Sequence, residues 1–141
     1  MGMGKPALMV VALVLGLVSL VAAVPGFATF YTPPYVPSSC YGFQDRGVMI
    51  AAASDAIWDN RAACGRRYRV TCTGGTNQVP HPCRGGSVDV TIVDYCPPGC
   101  RGTMDLSQEA FAIIGNPDAG RIKIDYTQIA SINCTRRVAD E

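Results

Sequence analysis

The side chains in this chain best suited to chemistry are seven Cys, a single His and a set of Asp residues at strand ends and turns. Seven thiols could ligate a metal, act as nucleophiles or pair as disulfides, and the compartment decides among these. One imidazole, His81, excludes any centre built on two. His81 also lies between Pro80 and Pro82, where solvent is its expected neighbour. Arg66, Arg67 and Arg69 form the densest basic run. It reads as a solvated strand face with Tyr68 and Val70 inward, or as a contact for an acidic wall polysaccharide or a receptor. The balance of 12 Lys+Arg against 11 Asp+Glu argues against a phosphate-binding basic surface, so nucleic acid is not an expected partner.

The N-terminus indicates the compartment. Lys5 precedes an uncharged apolar run over residues 7–23 that closes on Val21-Ala22-Ala23. This is the pattern of a secretory signal peptide, with cleavage expected near Ala23. No Lys/Arg stop-transfer cluster follows, so no membrane span is expected in the mature chain. Losing Lys5 brings the basic count down to equal the 11 acids. Secretion places every Cys in an oxidising compartment, and disulfides become the default reading.

The elements that must position these groups are short. Pro33, Pro34 and Pro37 exclude a helix after Thr29–Tyr31, a stretch that reads as a short strand. VMIAAASDAIW at 48–58 predicts a helix from its alanines. RYRVTC at 67–72, SVDVTIVDYC at 87–96 and RIKIDY at 121–126 alternate with the strand period. Residues 73–86 read as a turn-rich loop, and CPPGCRG at 96–102 as a tight turn. LSQEAFAII predicts a short helix with Leu106, Ala110, Phe111 and Ile114 on one side, ended by Gly115 and Pro117. Short strands with two short helices suggest a small β-barrel.

Spacing alone does not choose among the possible disulfide pairings. Locality suggests Cys96 with Cys100 around a Pro-Pro-Gly turn, Cys72 with Cys83 across the Gly-rich loop, and Cys40 with Cys64. Cys134 fits none of these local bridges. Asn133-Cys134-Thr135 is formally an N-glycosylation sequon at Asn133.

TFYTPPY at 29–35, ACG at 63–65, RYRVTC, SVDVTIVDYCPPGC at 87–100 and MDLSQEAFAIIGNPDAGRIKIDY at 104–126 resemble the plant natriuretic peptide proteins. These group with the expansin-like, family-45 endoglucanase-like and barwin-related domains. The resemblance implies a mainly β, six-stranded double-psi β-barrel with two short helices, stapled by the three local disulfides. It implies a domain over residues 24–134 between the signal peptide at 1–23 and a polar tail at 135–141. It also implies secretion to the apoplast, a monomer, no cofactor and no metal. The implied role is a non-enzymatic signal affecting water and solute homeostasis, through an unidentified cell-surface receptor. The alternative is an expansin-like module that binds or loosens cell-wall polysaccharide. A weak glycoside hydrolase and a barwin-like defence protein are further readings of the same fold.

The related endoglucanases use two carboxylates across a sugar groove, one as acid and one to activate water. By resemblance Asp105 in MDLS matches the acid, Asp94 matches a second acidic position, and Thr29 and Tyr31 match the strand lining the groove. TFYTPPY carries no Asp or Glu where the hydrolases hold their base, and the nearest acid is Asp45. Base assistance is worth about 10²–10⁴-fold, so a hydrolytically silent barrel is expected. Asp105 could instead cap the following helix, since Gln108 stands at capping-box spacing, or Ser107 could cap and release Asp105. Asp94 could be a hydrogen-bonded acid at a strand end. Tyr31, Tyr35, Tyr41 and Phe43 could stack on sugar rings or fill the core, whereas Trp58 is expected in the core.

Overall fold

In the computed structural model, which describes residues 2, 4 and 22–131, the chain forms a closed six-stranded barrel. The strands are β1 (Val24–Tyr31), β2 (Ile50–Ala53), β3 (Arg67–Gly75), β4 (Val88–Tyr95), β5 (Met104–Ser107) and β6 (Ile122–Ile129). Around the barrel they run β1-β5-β2-β4-β3-β6. β1 with β5 and β2 with β4 are parallel, and the other neighbours are antiparallel. This is the double-psi barrel that the resemblance implies. Its two helices are α1 (Asp55–Trp58) and α2 (Gln108–Ile114). No helix among the described residues is long and apolar enough to cross a membrane. Apart from Gly2 and Gly4, the signal segment through Val21 lies outside the described residues, as do Asn133, Cys134 and the tail.

The alternating segments form strands because one face of each has a core to enter. Tyr68 and Val70 on β3, Val88, Val90 and Ile92 on β4, and Ile122 and Ile124 on β6 are all buried. Phe111 of α2 seals the barrel side, with its ring centroid 5.0 Å from that of Phe30.

Residues 48–58 correct the sequence expectation. Instead of one helix, Ile50–Ala53 form β2 and only Asp55–Trp58 are helical. Ala favours helix intrinsically, but this segment is wedged between β4 and β5 and all four residues of β2 are buried. A narrow barrel has room there only for small side chains, so tertiary packing overrides propensity. Leu106 is also corrected: it belongs to β5, not to the helix. Ser107 ends the strand and caps α2, its Oγ accepting from the Ala110 N–H at 3.0 Å.

Three disulfides tie the loops to the barrel: Cys40–Cys64, Cys72–Cys83 and Cys96–Cys100. These are the local pairings.

Candidate functional site

Four adjacent strands place their residues in one row. Thr29 on β1 is opposite Asp105 on β5, Asp105 is opposite Ala52 on β2, and Ala52 is opposite Asp94 on β4. Directly opposed residues share a face of the sheet. Their neighbours Ala28, Ala51, Ala53, Met104 and Leu106 belong to the core, so the row lies on the outer wall. With strands about 4.8 Å apart, the two aspartates stand about 10 Å apart at their Cα atoms. Ala52 forms the floor between them.

Asp94 enters the row through a bulge. Ala51 pairs with Ile92 but Ala52 pairs with Asp94, so Val93 is skipped. Without that shift Ala52 would face Val93 and the second carboxylate would leave the row. Bulges commonly re-aim a side chain in this way.

Asp105 is freed for the row because Ser107 caps the helix. The Ser107 hydroxyl also donates to the Val48 carbonyl and is wholly buried. The Oδ1 of Asp105 accepts from the Thr29 hydroxyl at 2.9 Å. Burial pushes the Asp105 carboxyl above the usual carboxylate range, and the Thr29 bond opposes that shift. The Oδ1 of Asp94 accepts from the backbone N–H of Ser39 at 3.0 Å and of Tyr95 at 2.9 Å. The first of these bonds ties the loop before Cys40 to the end of β4.

Tyr31 lies two residues beyond Thr29 on β1. Its hydroxyl is buried and has no hydrogen-bond partner among the described residues. Burial first, then the negative charges of Asp94 and Asp105, then Tyr35, keep this phenol protonated well above its ordinary range. It is therefore a hydrogen-bond donor within the field of both acids. Tyr35 meets Tyr31 edge-on at 5.2 Å and donates to Glu109. Burial and that bond raise the Tyr35 phenol to about 12, and the same bond holds Glu109 below the usual carboxylate range.

Sequence reasoning missed Tyr95. It stacks on Trp58 with centroids 5.0 Å apart and an interplanar angle of 30°. Its hydroxyl donates to Asp55 at 2.6 Å. Trp58, expected in the core, is only half-buried, and the Arg61 guanidinium lies 5.8 Å from its centroid. The only sequence signal for Tyr95 is its place beside Asp94.

Other expected residues lie elsewhere. Tyr41 packs under the Arg46 guanidinium, 4.1 Å from its ring centroid, and Phe43 is 81% exposed. Asp45 accepts from Gly47 N–H at 2.8 Å within its own loop. His81 is exposed. Arg66 pairs with Asp59 and Arg69 with Asp89, both at 2.9 Å.

A family model described as lytic transglycolase matches residues 50–126. An EG45-like domain containing protein of Citrus jambhiri is 61% identical over 130 residues, covering 91% of this chain and 99% of its own. A putative EG45-like domain containing protein 1 of Arabidopsis thaliana is also 61% identical, over 74% of this chain and 82% of its own. Among solved structures, a mutant Clavibacter michiganensis expansin in complex with cellohexaose superposes with a TM-score of 0.60 at 28% identity. The match covers 77% of this chain and 51% of that one.

Proposed function

This chain belongs to the EG45-like domain proteins on the double-psi β-barrel, and from that premise we propose a secreted, expansin-like module that binds cell-wall polysaccharide without hydrolysing it. The observation that carries the reading is the outer-wall row Thr29–Asp105–Ala52–Asp94 with the unpartnered Tyr31 hydroxyl beside it. A row of hydroxyl and carboxylate groups over a small floor suits the hydroxyls of an extended glucan. The matched expansin holds cellohexaose.

Hydrolysis would need an acid and a base. Asp105, with its raised pKa, suits the acid. The groove-side positions of β1 hold Thr29 and Tyr31, and the Tyr31 phenol stays protonated. The Oδ1 of Asp94 is committed to two backbone N–H groups. Retention and not turnover is the activity this arrangement supports.

Sedimentation with insoluble cellulose tests the reading. The wild-type protein is expected in the pellet and Asp105→Ala largely in the supernatant. Equal retention of both removes the groove. Reducing sugar released from soluble glucan by wild type and abolished in Asp105→Asn would reinstate the hydrolase.

A second reading, as a plant natriuretic peptide-type signal for water and solute balance, is favoured by the exposed Phe43 on the segment closed by Cys40–Cys64. Swelling of protoplasts at nanomolar dose is its expected outcome, and an unchanged cell volume overturns it.

A further inference from the structure

We propose that an arginine-lined hollow beside Tyr41 binds the carboxylates of an acidic, uronate-bearing polysaccharide. The hollow has a volume of about 510 Å³, and its walls include Tyr41, Arg46, Gly65, Arg66, Arg67 and Thr91. These come from three stretches of chain: the loop after Cys40, the turn at Gly65 with the start of β3, and the middle of β4. The Cys40–Cys64 disulfide clamps the first two together, so the walls are held before any ligand arrives. Gly65 suits the turn there. Its φ is +83°, and a Cβ at that position would come within 2.8 Å of the Tyr41 hydroxyl.

Among the described residues the charge in the hollow is only partly cancelled. Asp59 pairs with Arg66 at 2.9 Å. Neither Arg46 nor Arg67 forms an ion pair with a carboxylate among the described residues. Arg46 instead lies over the Tyr41 ring. Asp45, its neighbour in sequence, accepts from Gly47 N–H. Asp89 feels the field of Arg67, but its own fork is taken by Arg69. Two guanidiniums over a polar hollow match a planar carboxylate, which accepts paired N–H bonds from such a fork. The hydroxyls of Tyr41 and Thr91 stand ready for sugar hydroxyls.

A polymer is favoured over a small anion by position. Thr91 lies three residues before Asp94 on β4, about 10 Å along the strand. A chain lying past Asp94 can thus reach the hollow. The choice of a polysaccharide rests on the carbohydrate reading above, whereas the anion preference rests on the guanidiniums alone.

Calorimetric titration with polygalacturonate fragments, their fully methyl-esterified counterparts and cellohexaose tests the proposal. The proteins are wild type, the double variant Arg46→Gln/Arg67→Gln, Arg67→Lys and Asp105→Ala. Wild type is expected to bind polygalacturonate, more weakly as salt rises, and to bind the esterified fragments far less. The double variant should lose about tenfold or more in affinity for polygalacturonate and keep its affinity for cellohexaose. Arg67→Lys keeps the charge but not the fork, and should fall between. It also serves as the readout should the double variant fail to fold. Esterified fragments binding as tightly as acidic ones, or unchanged affinity in the arginine variants, would overturn the site. Cellohexaose failing to bind any of the proteins would remove the glucan groove and leave the arginine site standing.

Discussion

Asp105 and Asp89 both lie on strands of the barrel wall, yet they are treated in opposite ways. Asp89 receives the Arg69 guanidinium as a fork, with Nε at 2.9 Å and Nη2 at 3.1 Å, and is held below the usual carboxylate range. Asp105 has one neutral partner, Thr29, and burial pushes it the other way. The barrel supplies a cation to Asp89, where its wall faces water. Along the Thr29–Asp94 row it leaves a carboxylate and a phenol short of partners, at a cost in stability. Groups left short in this way suit a site whose ligand completes them.

The difference depends on Ser107, so removing Ser107 is expected to have the largest effect. Ser107→Ala takes away the cap of α2 and the donor to the Val48 carbonyl, both in a buried setting. The expected loss is about 1–2 kcal/mol. At roughly 4–8 °C per kcal/mol this is visible in a thermal melt. Asp105 stands at the other candidate capping position, and any shift towards that role draws it out of the row. Retention on cellulose should fall together with stability. A variant that melts early yet keeps full retention would show that Asp105 holds its place without Ser107.

The sequence made one side of this comparison more legible than the other. Strands with one buried face, such as RYRVTC and SVDVTIVDYC, announce themselves by alternation because solvent covers the opposite face. The acids of the row were identifiable from their motifs, but their relation to each other was not. That relation is created by Ala52, by the skipped Val93 and by a parallel pairing between segments far apart in the chain. None of these leaves a local trace. The alanines of β2 point the wrong way, since helix propensity is intrinsic and the need for small side chains comes from neighbours on both sides. Tyr95 was hidden for the same reason: its partner Trp58 meets it only after folding.

The next largest effects come from relieving the strain of the row itself. Tyr31→Phe deletes a buried hydroxyl without a partner, so stability should stay level or rise, while cellulose retention falls. A drop in stability would mean that the hydroxyl has a partner in solution. Asp105→Asn keeps an acceptor for Thr29 and removes the charge. Because the folded-state pKa of Asp105 is raised, its charged form disfavours the fold. The stabilising difference is present when the group is protonated and disappears as pH rises through the raised pKa. Asp105→Asn should therefore melt above wild type at neutral pH. The gap should close as the pH falls into the ordinary carboxylate range. A gap independent of pH would detach it from this ionisation.

Asp89→Asn supplies the opposite sign and the smallest effect. The folded-state pKa of Asp89 is lowered by Arg69, so its contribution exists above the ordinary carboxylate range and is lost as pH falls through the depressed value. The pair is largely open to water, and exposed pairs of this kind are heavily screened. Asp89→Asn should shift the melt barely measurably at neutral pH and low salt, and not at all in high salt or acid. Its retention on cellulose should equal that of wild type. If instead Asp89→Asn loses retention as Asp105→Ala does, cellulose runs over the Arg69–Asp89 pair, and the division between the two walls fails.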